Sequence, residues 1–194
     1  MSSVDLPQSA KKHLPGESGV WVFILGDMMM FALLFTVFIY YRSQDVDLFA
    51  QSQVTLKQTY GAVNTLLLLS SSWFVALAIQ AARRSLGNIS ARYFALTIFC
   101  ALAFVAVKVL EYGEKFRAGI SIITNDFYMY YFMLTGIHLI HVVIGLGVLT
   151  FLWHTARSAE LDEKNINLLE SGASFWHMVD ILWIVLFALF YLLR

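Results

Sequence analysis

Five stretches of this 194-residue chain are apolar for too long to belong to a protein that folds in water alone. They run through Val20–Tyr41, Gly61–Ala82, Ala91–Leu110, Phe127–His154 and Gly172–Leu193. Each approaches or exceeds the roughly 20 residues with which a helix crosses a bilayer. Only 13% of the residues are charged against 59% hydrophobic, where a soluble domain carries roughly a quarter charged. The expectation is an all-α integral membrane bundle of five transmembrane helices, at residues 19–41, 61–82, 91–114, 127–154 and 172–193. Before it comes a polar amino-terminal segment, 1–18, with Pro7, Lys11, Lys12 and Pro15 but no apolar signal core, so the first span is expected to be retained.

Formal net charge is zero, which argues against nucleic acid as a partner, since phosphate binding needs Lys and Arg gathered in excess on one surface. The single cysteine, Cys100, excludes an internal disulfide and reads as a small buried hydrophobe. Lys11, Lys12, Arg83, Arg84, Arg92, Arg157 and Lys164 fall on one side of the spans, and Arg42, Lys57, Lys115, Arg117 and Arg194 on the other. The positive-inside rule then predicts a cytoplasmic amino terminus and a periplasmic carboxy terminus in a bacterial inner membrane. No proline interrupts a span and no repeat is evident, which weighs against a carrier. Ser70, Ser71, Ser72, Ala76 and Ala78 in the second span, and Gly136, Gly145 and Gly147 in the fourth, are expected to allow close helix approach.

Polar side chains inside lipid cost several kcal/mol unless they face protein or water, so they are the first candidates for function. Asp27 lies roughly 12 Å into the first span at 1.5 Å per residue. It is either a hydrogen-bonded tie between helices or a carboxyl that exchanges protons. Lys108, Glu111 and Glu114 follow three-residue steps along one face, and Lys108 can pair with Glu111. His138 with His141, and His177 with Asp180, repeat that step in the fourth and fifth spans. Bundle di-metal sites use Glu-x-x-His twice; these pairs do not match, and no metal ligand is assigned. A haem held by two histidines is a further possibility weighed, but a buried polar network that fixes helix order accounts for the pairs more simply. Aromatic rings at 15% serve interfacial anchoring, and with Met28, Met29 and Met30 would also suit lipid tails.

In order along the chain come Trp21-Val-Phe-Ile-Leu-Gly-Asp27, Asn64-Thr-Leu-Leu-Leu-Leu-Ser, Glu111-Tyr-Gly-Glu114, Thr-Gly136-Ile-His138-Leu-Ile-His141-Val-Val-Ile-Gly145 and Phe175-Trp-His177-Met-Val-Asp180-Ile-Leu-Trp183. This series resembles subunit III of the haem-copper oxidases over nearly the whole chain. The opening Leu14-Pro-Gly-Glu17-Ser-Gly-Val-Trp21, and the lack of two helices that the longest members possess, look most like the short NorE-type proteins associated with nitric oxide reductase.

The resemblance implies a chain with no redox centre, packed beside a catalytic subunit that carries haem and copper or iron. It also implies structural phospholipid in a cleft, for which Trp21, Asn64, Trp73, Tyr112, Trp176 and Trp183 are the candidate residues. Asp27, Lys108, Glu111, Glu114, His138, His141, His177 and Asp180 form the expected proton-exchange or polar network, with Asp27 the carbodiimide-reactive carboxyl. The alternatives are a stand-alone membrane metal or haem protein, and an oxygen-reducing quinol or cytochrome c oxidase subunit III proper.

Overall fold

The computed structural model describes residues 18–158 and 161–193. The amino-terminal segment with its prolines and Lys11 and Lys12, the motif as far as Glu17, and Arg194 lie outside the described residues. The helices are α1 (Ser18–Gln44), α2 (Val46–Val54), α3 (Gln58–Arg83), α4 (Gly87–Arg117), α5 (Asp126–Ser158) and α6 (Glu163–Phe187), the last running on through a π turn, Ala188–Leu192. No strand occurs among the described residues. Five helices are long and apolar enough to span a membrane.

The ends overrun the apolar runs because polar residues cap them. Asp162 accepts from the Asn165 amide at 2.8 Å and starts α6 at Glu163, ahead of the hydrophobic stretch. Asn125 accepts from the Tyr128 amide at 3.0 Å at the start of α5. Gly119, with φ of 74°, turns the chain out of α4, and the Ile120 amide reaches back to the Lys115 carbonyl at 3.0 Å, closing a left-handed cap that a side chain would strain. The short helix α2 was not foreseen from the sequence. Asp45 caps it through the Leu48 amide, and Phe49 anchors it between Phe38 and Phe127, with ring centroids 5.7 and 5.8 Å away.

Helices α3, α4, α5 and α6 pack in a ring, each antiparallel to its neighbours, and α1 lies outside against α5 and α6. The difference is large: 56% of the apolar window of α6 is buried, against 17% for α1. Glycine sets the closest approaches. A Cβ on Gly145 would stand 2.7 Å from the Trp176 ring, and one on Gly172 would stand 2.6 Å from Leu152. Gly136 and Gly147, expected to do the same, have open space instead. Of the small residues in α3, Ser71 and Ala78 are buried, whereas Ser70 and Ala76 face outward. Small residues on a helix permit contact, but the facing helix must be there to make it. Cys100 is buried with no disulfide.

Candidate functional site

The titratable residues singled out in the sequence are separated by the fold into distinct groups rather than one network. Three-residue spacing keeps two side chains near one another on their own helix, yet the ring of neighbours sends them to different partners.

Asp27 on α1 and His141 on α5 meet across the bundle, with Oδ1 and Nε2 3.1 Å apart and side chains 9% and 13% exposed. The Nδ1 of His141 lies 2.8 Å from its own helix's Ile137 carbonyl, which can only accept, so Nδ1 carries a proton. The bridge to Asp27 therefore needs a second proton, either on the carboxyl or on the imidazole. In both forms the pair as a whole carries no net charge. Asp27 Oδ2 is buried without a partner. His141 also lines a groove of about 670 Å³ between α1, α5 and α6, whose other walls include Val20, Phe23, Gly147, Phe151 and Phe175. It is nearly all apolar.

Lys108 and Glu111 lie inside the ring, 1% and 2% exposed at their side chains, with Nζ and Oε2 2.9 Å apart. Tyr191, placed by the π turn, donates to Glu111 Oε1, and Lys108 Nζ stands 4.9 Å from the centre of the Trp183 ring and 5.1 Å from that of Tyr131. Each charge thus has hydrogen-bonding or aromatic compensation. Glu114, expected alongside them, is a turn further out. It is 43% exposed and pairs with Lys57 at 2.7 Å and with Tyr60. The hydrogen bond with Glu114 raises the pKa of Lys57 above its ordinary value. His138 points into the ring between Phe104 and Trp183, fully buried, and neither nitrogen has a partner.

On α6, His177 Nδ1 meets the Ser72 hydroxyl of α3 at 2.6 Å. Asp180, one turn deeper, is 3% exposed, and neither carboxyl oxygen has a hydrogen-bond partner. Tyr131 and Tyr191 were not assigned to the polar groups beforehand and Ser72 was read only as a small packing residue, because a lone hydroxyl in an apolar run signals nothing until its partner helix is in place.

The family described as cytochrome c oxidase subunit III matches residues 11–194. The chain belongs to that family. A cytochrome c oxidase subunit 3 from Synechocystis is 33% identical over 90% of this chain and 74% of its own length. A cytochrome bo(3) ubiquinol oxidase subunit 3 from Buchnera aphidicola is 29% identical over 90% and 92%. A heme-copper oxidase subunit I+III from Aeropyrum pernix is 25% identical over 91% of this chain and 22% of the relative. This subunit III chain is accordingly a multi-pass membrane protein and a non-catalytic component of its system. Among its described residues no three His, Cys, Asp or Glu side chains cluster as metal ligands.

The residues expected at a lipid cleft do not line the α1/α5/α6 groove. Asn64, Trp176 and Trp183 are fully buried in the ring, not in the groove. Both indoles satisfy their N–H there, Trp176 on Ser71 at 3.0 Å and Trp183 on Thr65 at 3.1 Å, which makes them packing residues. Tyr112 bonds Thr135 at 2.6 Å between α4 and α5. Trp73 is 63% exposed and lines a second groove, between α3 and α6, and Trp21 lies half-buried near the start of α1. Met28, Met29 and Met30 are exposed on α1 and do not line the groove.

Proposed function

We propose that this chain supports the catalytic haem-copper subunit of a respiratory complex in a bacterial inner membrane, with the amino terminus cytoplasmic. It holds none of the redox groups itself. It stabilises its partner, accommodates phospholipid acyl chains in the α1/α5/α6 groove, and offers the shared proton of Asp27 and His141 for exchange near the partner's proton or gas route. The observation that carries this reading is a nearly buried carboxyl–imidazole pair, 3.1 Å apart between two apolar spans, whose imidazole opens on an apolar groove of about 670 Å³. A relative named heme-copper oxidase subunit I+III, in which one chain carries both subunit designations, supports a catalytic subunit as the neighbour. Arg83, Arg84, Arg92 and Arg157 gather at the end of the bundle where α1 begins, which supports the orientation.

A second reading concerns the acceptor. The opening segment from Leu14 to Trp21 favours a NorE-type subunit serving nitric oxide reductase over an oxygen-reducing oxidase.

Purification in mild detergent tests both. A much larger haem-containing chain is expected to accompany this one, and its activity with oxygen or nitric oxide identifies the acceptor. Stoichiometric iron or copper in the isolated chain would overturn the proposal. Asp27→Asn is expected to leave assembly intact, abolish labelling by a hydrophobic carbodiimide, and slow turnover or shorten the working life of the complex. Unchanged turnover and lifetime would remove the proton role.

A further inference from the structure

A second groove opens on another face of the bundle, between α3 and α6, with a volume of about 470 Å³. Gln80, Arg83 and Glu170 lie toward one end and Ser174 and His177 toward the other, between apolar walls that include Trp73 and Leu77, so it is mixed in character where the groove beside α1 is nearly all apolar. At roughly 30 Å³ per molecule it has room for on the order of ten waters. Arg83 and Ser72 are separated by about 16 Å along α3 at 1.5 Å per residue, which is half of a hydrocarbon core about 30 Å thick. The polar residues along the groove, with Ser72 behind His177, therefore run from the end of α3 to about the middle of the span.

His177 lines the groove floor and uses Nδ1 on the Ser72 hydroxyl, which leaves Nε2 to meet water. Beyond it lies Asp180, buried and with both oxygens unpartnered. Ser72 bonds His177 at 2.6 Å, and Asp180 follows His177 by three residues on the same face of α6. A carboxyl kept only for packing would be expected to find partners, as buried polar groups nearly always do. This one sits at the end of a polar approach.

We propose that the α3/α6 groove is a water-filled inlet through which His177 and Ser72 load and unload a proton on Asp180, a second exchange site independent of Asp27. A proton arriving on His177 Nε2 releases the Nδ1 proton to Ser72, whose hydroxyl proton passes to the Asp180 carboxylate; the reverse sequence empties it. Nothing else is consumed. The other charged groups around this site are already engaged. Glu170 binds Arg83 at the mouth, Lys108 and Glu111 on α4 close on each other, and His141 on α5 pairs with Asp27 of α1. His138 on α5 faces Phe104 and Trp183. The packing register adds a consequence. Gly145 meets Trp176 and His138 meets Trp183 on two antiparallel helices, so His141 stands at the height of Asp180. The two sites then occupy one layer of the membrane, reached from different faces of α6.

Infrared spectroscopy of the intact detergent-purified complex during transfer from H2O to D2O tests this. A protonated-carboxyl band should disappear in Asp180→Asn and persist in Asp27→Asn. Its deuteration should slow at least about tenfold in His177→Phe and in Ala76→Trp, which fills the groove from an exposed position and spares the core. The proposal is overturned if Asp180→Asn removes no such band, if Ala76→Trp exchanges at the native rate, or if only Asp27→Asn alters the signal. Loss of the Asp27 role with the Asp180 band intact would count against the function proposed above but not against this site.

Discussion

The pair of Lys108 and Glu111 lends itself to a quantitative test because burial is almost complete on both sides. Replacing Lys108 by Met leaves the Glu111 carboxylate inside the ring with Tyr191 as its remaining donor. Removing one partner of a buried pair costs about 3–5 kcal/mol. At about 1.4 kcal/mol per tenfold, the folded population should fall more than about a hundredfold relative to the unfolded. Glu111→Leu should cost a similar amount by stranding the ammonium among aromatic faces. The double variant Lys108→Met/Glu111→Leu removes both charges and strands only the Tyr131 and Tyr191 hydroxyls, at about 1–3 kcal/mol each at most. It should thus recover about 2 kcal/mol or more against the sum of the single variants. Equilibrium unfolding of the purified chain in mixed micelles of rising SDS content, followed by fluorescence of Trp183 beside the ammonium, measures all three. Single variants within about 0.5 kcal/mol of the native chain, or a double variant equal to the sum, would refute the reasoning.

Gly145→Ala should destabilise by about 1–3 kcal/mol, since its Cβ would stand 2.7 Å from an indole that the Ser71 hydrogen bond holds in place. Gly147→Ala, with nothing within 4 Å, should stay within about 0.5 kcal/mol in the same unfolding assay; equal effects at the two glycines would contradict the packing described. Glu114→Gln, by contrast with Glu111, should leave the unfolding midpoint unmoved, because its pairing with Lys57 is exposed and screened by salt. A shift comparable to that of Lys108→Met would show that the outer pair is part of the core.

The amino-acid order alone determined how many helices can cross the membrane and which positions carry polar groups where lipid would penalise them. Hydrophobic run length and the cost of burying charge are local properties, and the Lys108–Glu111 pairing within α4 followed from them too. The family motifs were equally legible. Which helix lies opposite a given face is not a local property, and every difference comes from that. His138 and His141 share a face to within a third of a turn, yet α6 meets one and α1 the other. Trp176 and Trp183 could equally have lined a lipid cleft, until Ser71 and Thr65 on α3 accepted their indole protons and closed them into the ring. Helix α1 stands off that ring because its burial is slight. The gap it leaves against α5 and α6, with Asp27 reaching across to His141, exists only once the five rods have chosen their neighbours.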